Sequence, residues 1–351
     1  MELTFLLKQT TEQMGSDIYM VPGAPVTAKI KGKLTALTPE AVSTTENEQL
    51  IQTIYDTMAR PIDKLYETGD DDFSFSMPGL GRFRCNAYKQ RGSLAAVLRV
   101  VPFGLPDSKT LGIPDVVLDL YKLKRGMILV TGPGGSGKST TIACLIDNIN
   151  KNTHGHIITL EDPVEYIHPH KNCIVSQREI INDTETFSKA LRAALRQVPD
   201  VILLGEMRDY ETIQTALTAA ETGHLLLSTL HTVGAAKTID RIVDVFPANQ
   251  QQQVRIQMSM VLMAVISQQL IPTKAGGLTP AFEIMIINSA IQNMIREGKV
   301  HQLDNAIYAG QAQGMRTMDA DILRLFKEGV ISKEMALLYA TNPDAMERKL
   351  I

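Results

Sequence analysis

Residues 127–140 read MILVTGPGGSGKST, an apolar run followed by a glycine-rich turn that ends in Lys-Ser-Thr. The spacing fits G-x-x-x-x-G-K-[ST], with Gly132, Gly137, Lys138 and Ser139 at the fixed positions. Behind the turn, Ile142, Leu145, Ile146 and Ile149 recur at helical spacing. Strand, loop and helix in that order make a phosphate cradle. Glycines let successive backbone N–H groups turn inward, and the helix N-terminus adds the positive end of its dipole. Gly132, Gly134, Gly135, Ser136, Gly137 and Thr140 are expected to line this cradle. Lys138 should reach the β and γ phosphates of ATP, and the Ser139 hydroxyl should take one position on Mg²⁺. The chain reads as an α/β protein with a nucleotide site.

Working outward, the apolar runs at 157–160, 201–204 and 225–229 alternate with helical patterns, which indicates a parallel sheet wrapped by helices. Upstream, residues 16–101 carry short β-type runs, among them 26–30 and 83–101, around one helical stretch at 46–58. Leu3, Leu6 and Leu7 precede them on one helix face. A Pro/Gly-rich passage, VPFGLPDSKTLGIP at 101–114, reads as a hinge. The expected domains are therefore 1–101, a linker at 102–114, an ATPase core at 115–271 and a helical C-terminal region at 272–351. Within the core, residues 249–270 place Val254, Met258, Val261, Leu262, Val265 and Ile266 at helical spacing, so the glutamine run is expected on the solvated face of a long helix.

The 351 residues, 44% of them hydrophobic, suffice for two cores. The net charge of −3, with no basic stretch, points away from nucleic acid as the principal partner. Cys85, Cys144 and Cys173 are odd in number and scattered, which suits a reducing cytoplasm better than disulfides or a zinc site. No segment reaches the roughly 18 apolar residues of a membrane span, so no direct membrane insertion is expected.

Hydrolysis needs a carboxylate near the γ phosphate. VILLGEMRD places Glu206 just beyond the run 201–204, where parallel sheets bind ligands, and ITLEDPVEY places Glu161 and Asp162 at the end of 157–160. Asp200 precedes its strand and stands at the wrong end. In GHLLLSTLHT, His224 and His231 flank one strand at opposite ends and cannot share a metal; His231 is at the end where a γ phosphate would lie. In GRFRCNAY, Arg82 and Arg84 share one strand face, an anion clamp or simply a solvated face, with Phe83, Cys85 and Ala87 on the other.

Together these residues resemble the secretion-superfamily hexameric ATPases, and within them the type IV pilus retraction ATPases. The loop at 132–140, ITLEDPVEY, ILLGEMRD and GHLLLSTLHT stand in that family's order, and the likeness extends to SDIYMVPGAPVTAKIKGKL and QGMRTMDADILRLFKEGVIS. The resemblance implies a PAS-like N-terminal domain, a RecA-like P-loop ATPase domain and a ring of six subunits. It makes Glu206 the catalytic glutamate and Glu161 part of the metal and water shell. His231 would lie near the γ phosphate, and Arg82 and Arg84 match the arginines that the small domain gives to the nucleotide site. It also implies an inner-membrane platform protein as partner, with an accessory retraction ATPase as another.

Two positions depart from the family pattern. The loop has Gly134 where the family has threonine, and AIQNMIRE at 290–297 has Gln292 in place of an arginine. Readings outside pilus retraction are a RecA-like nucleic-acid motor, which single-stranded DNA would stimulate, and a nucleotide-dependent scaffold without turnover. An accessory retraction paralogue is the nearest alternative within the family.

Overall fold

Alternation of buried and accessible residues builds the first sheet, as in GRFRCNAY, where Phe83, Cys85 and Ala87 are buried while Arg82 and Arg84 are half-buried on the other face. The protein is described here from a computed structural model covering residues 2–101 and 104–350. It divides into two units, Met1–Gly104 with Glu165–Ile167, and Leu105–Val164 with His168–Ile351.

In the first unit the helix Leu3–Glu12 precedes β1 (Gly15–Met20), β2 (Thr27–Ile30) and β3 (Lys33–Ala36); the helices Thr44–Thr57 and Asp63–Thr68 precede β4 (Asp70–Met77), β5 (Gly81–Gln90) and β6 (Ser93–Val101). These strands form one antiparallel sheet in the order β3-β2-β1-β6-β5-β4. The stretch 83–101, expected as one β-type run, is a hairpin. Arg91 and Gly92 both take positive φ and reverse the chain between Gln90 and Ser93. The helix Thr44–Thr57 starts at a capping box, in which Ser43 Oγ accepts from the Glu46 N–H at 3.2 Å and Glu46 Oε2 accepts from the Ser43 N–H at 2.8 Å. Ile51, Ile54, Tyr55, Phe73 and Phe83 fill the core. Beside it Asp71, fully buried, accepts from Arg60, Lys64 and Tyr55. Burial alone would raise the Asp71 carboxyl, but the Arg60 and Lys64 bonds hold it below the usual carboxylate range.

The expected linker begins on Pro102 and Phe103, which lie outside the described residues; residues 104–114 form bends and turns without helix or strand. The second unit then lays down β7 (Gly126–Thr131), the helix Lys138–Asn152, β8 (His156–Glu161), β9 (Ile174–Glu179), β10 (Val201–Leu204) and β11 (Leu225–Leu230). Next come the helices Ala235–Asp244 and Ala248–Val261, then β12 (Leu262–Pro272) and β13 (Leu278–Ile286). The sheet order is β13-β12-β7-β11-β10-β8-β9, parallel except for the antiparallel β12–β13 pair.

Two expectations are corrected here. The long helix at 249–270 ends at Val261, and Leu262 onward is strand. Residues 261–266 are apolar on both faces because β12 sits between β7 and β13 inside the sheet, and an unbroken apolar run carries no period that separates helix from strand. The C-terminal region expected to be helical begins with β13, whose apolar pattern is interrupted by Pro280 and Glu283; helices follow from Ser289. The polar edge strand β9, IVSQRE, carried no apolar signal and was not expected.

His168, 6% exposed, has no hydrogen-bond partner on Nδ1 among the described residues. Burial pulls its imidazole down from 6.5 to about 4. Since the unfolded chain binds this proton first as pH falls, stability should be unaffected above 6.5 and should drop between 6.5 and 4, by about 3 kcal/mol. Urea unfolding of the parent and of His168→Gln at pH 7 and pH 4.5 checks this. The parent should lose more stability than the variant, and equal losses would exclude His168 as the source.

Candidate nucleotide site

β7 lies inside the sheet, and the strand that follows it in sequence, β8, stands three places away, beyond β11 and β10. The crossover leaves a crevice at the carboxyl end of β7, the usual ligand position in such sheets. Strand register then decides which residues share it. Thr131 is level with Leu230, Leu204 with Ser228, and Leu160 with Leu204. The residues that follow, Gly132, His231, Glu206 and Glu161, therefore emerge along one edge of one sheet.

The phosphate loop is shaped by close approach. A Cβ at Gly132, where φ is +143°, would stand 2.2 Å from the Gln268 carbonyl oxygen; one at Gly137, where φ is +87°, would stand 2.8 Å from Gln268 Nε2. Gly134 and Gly135 face open space. Lys138, 7% exposed, donates from Nζ to the carbonyls of Gly132 and Pro133, both at 2.8 Å. Ser136 Oγ is buried and has no hydrogen-bond partner among the described residues, an orphan that a phosphate oxygen would satisfy. Ser139 and Thr140 are half-buried in the first turn of the helix Lys138–Asn152. A cavity of about 390 Å³ opens beside the loop, lined by Gly137, Thr140, Thr141 and Gln268 among others.

Glu206 Oε2 lies 2.7 Å from Arg208 Nε and 3.7 Å from His231 Nε2. These three residues share a cavity of about 260 Å³ with Arg241 and Thr229. Gly205 occupies the turn between β10 and Glu206, where a Cβ would press within 3.1 Å of the Leu160 carbonyl oxygen. Thr229 Oγ1 donates to the Gly205 carbonyl at 2.6 Å and anchors that turn to β11. Glu161 is held from its own strand and from β9, accepting from Thr159 Oγ1 at 2.5 Å and Gln177 Nε2 at 3.3 Å. His224, at the far end of β11, meets the Ala219 carbonyl through Nδ1 at 3.0 Å.

Arg82 and Arg84 belong to the first unit. Arg82 Nη1 donates to Ser76 Oγ at 3.4 Å, and Arg84, 43% exposed, has Nη2 4.0 Å from Asp72 Oδ1. The residue that sequence reading missed is Gln268. It is 3% exposed and accepts from Thr141 Oγ1 at 2.7 Å, bracing the loop from β12. A glutamine in the short polar run 267–269 gives no sign of this, because the partner lies 127 residues away.

Residues 95–318 match the family described as "Type II/IV secretion system protein". The chain is 46% identical to the Pseudomonas aeruginosa protein described as "Type IV pilus retractation ATPase PilT", over 98% of this chain and 99% of that one. It is 38% identical to the type IV pilus ATPase PilU of the same organism, over 97% of this chain and 91% of that one. Among solved structures, the pilus retraction motor PilT with bound ADP superposes with a TM-score of 0.92 at 47% identity, covering 99% of both chains.

Proposed function

The chain belongs to the type II/IV secretion system protein family, and on that premise we propose that it is the ATP-hydrolysing motor that retracts a type IV pilus. The observation that carries this reading is the alignment of the phosphate loop, His231, Glu206 and Glu161 along one sheet edge, in a chain similar over nearly its whole length to a pilus retraction ATPase. The higher identity to PilT than to PilU, 46% against 38%, favours the main motor over the accessory one. The first unit is read as PAS-like and the second as RecA-like.

In this reading Lys138 exchanges the loop carbonyls for the β and γ phosphates. Ser136 and the loop N–H groups take the remaining phosphate oxygens. Glu206 accepts the proton of the attacking water, and His231 beside it senses the γ phosphate. Among the described residues no group of three or more His, Cys, Asp or Glu could hold a metal unaided. Mg²⁺ would therefore be held by Ser139 and Glu161, with Glu206 nearby, together with the nucleotide's own oxygens. When bound it draws charge from the phosphates.

Arg82 and Arg84 are assigned to the triphosphate on the family resemblance. Replacing both with alanine should leave the fold intact, since both lie on the face of β5 opposite Phe83, Cys85 and Ala87 of the core, and should lower turnover by roughly 10³-fold, the worth of an arginine at a γ phosphate. A phosphate-release assay showing parent-like turnover would remove them from the site.

Family resemblance also supports a cytoplasmic ring of six. Among the described residues no helix is long and apolar enough to cross a membrane. Force on the pilus would thus pass through a platform protein of the inner membrane. Deleting the gene should make surface pili accumulate and abolish twitching, with rescue by the parent chain and none by Glu206→Gln. Loss of pili on deletion would instead mark an assembly motor.

A further inference from the structure

Glu283 lies on β13, the strand at one end of the sheet order, and is only 7% exposed, so a lone carboxylate there is costly unless it is hydrogen-bonded. Its cross-strand partner on β12 is Ser267. The two side chains receive consecutive backbone donors from one helix start: the Gly234 N–H reaches Ser267 Oγ at 2.9 Å, and the Ala235 N–H reaches Glu283 Oε1 at 2.8 Å. The helix Ala235–Asp244 has no cap of its own, because its N-cap is Gly234 at φ +91°. A strand 48 residues away supplies the cap instead.

That helix start closes the four-residue turn that begins at His231, the residue 3.7 Å from Glu206. Ser267 is also level with Thr131, the last residue before the phosphate loop. The other oxygen of Glu283, Oε2, accepts from the Met318 N–H at 3.4 Å, at the start of the helix Met318–Lys327. One carboxylate thus ties the 231–234 segment to the start of the helix Met318–Lys327, from a strand that lies one place beyond the neighbour of β7. Burial pushes this carboxyl upward, while the Ala235 and Met318 N–H groups oppose that shift.

We propose that Glu283 is a positioning residue for ATP cleavage: by capping the helix Ala235–Asp244 from β13 it fixes the 231–234 turn, and so holds His231 in place against Glu206. The inference rests on the ATPase reading above. It implies that movement at the start of the helix Met318–Lys327 is felt at the γ-phosphate end of the site through Glu283.

The test uses the full chain with Glu283→Gln, which keeps one acceptor and the side-chain volume, alongside Glu283→Ala. For Glu283→Gln, kcat should fall roughly tenfold with KM for ATP unchanged, because a misplaced group near the chemistry costs turnover rather than binding. Amide hydrogen exchange should quicken in the 231–237 segment and stay at the parent level in β7 and its helix. Glu283→Ala should show a larger fall in kcat; if it fails to fold, Glu283→Gln carries the test. A folded Glu283→Gln with the parent's kcat overturns the inference. So does a loss of kcat accompanied by raised KM and faster exchange throughout the second unit, since that pattern marks a general structural role. A parent chain inert toward ATP would overturn the ATPase reading itself, and this inference with it.

Discussion

Lys138→Ala is expected to abolish ATP turnover while leaving the chain folded. The ammonium group is held by two carbonyl oxygens of its own loop, which on the proposed reading is where the triphosphate's charge lies. Removing a single neutral donor from a transition-state oxyanion costs roughly 10² to 10³ in rate, and Lys138 contributes a full charge, so a fall of at least that size is expected.

The fold should tolerate the loss. Pro133 is exposed, so water can replace the ammonium at its carbonyl, only the buried Gly132 carbonyl loses a partner, and Ile142, Leu145, Ile146 and Ile149 keep the helix Lys138–Asn152 packed in the core. A stability loss of about 1 to 3 kcal/mol is the range for a buried bond left unmade. Phosphate release reads the turnover and a thermal melt reads the stability. Turnover within tenfold of the parent would remove Lys138 from the phosphate-binding role.

Glu206→Gln should separate chemistry from binding. The amide has the shape of the carboxylate and can still accept from Arg208 through its oxygen, so the turn after β10 should be preserved. What it lacks is the ability to take a proton from water, a contribution of roughly 10² to 10⁴ in rate for a positioned general base. The phosphate cradle lies on β7 and its helix, two strands away from β10, so nucleotide affinity should be unchanged. The expected signature is therefore a collapse of kcat at constant KM. A parallel fall in affinity would show that Glu206 supports the site's structure, and unaltered turnover would pass the role of base to Glu161.

The phosphate loop was legible because its signal is local: a strand, glycines at fixed offsets and a helix, all between Gly126 and Asn152. Glu206 and Glu161 were legible for a related reason, since Glu161 directly follows a short apolar run and Glu206 stands one residue beyond another. By contrast, the strand character of β12 was hidden, because a run buried on both faces shows no period, and β13 was disguised by the buried Glu283. Gln268 illustrates the same limit, since its bond to Thr141 and the close approach of its carbonyl to Gly132 depend on β12 lying beside β7.

The amino-acid order by itself determined that this chain has a phosphate loop between a strand and a helix, two further strand-end carboxylates and a histidine at the matching end of another strand. Which of these stand side by side was decided only by the tertiary structure, through the order β7-β11-β10-β8 and its register. The physical reason is range. Turns and periodicities are set by neighbours a few residues apart, whereas strand pairing and the capping of one helix by a distant carboxylate follow from burying apolar surface and satisfying polar groups across the whole unit.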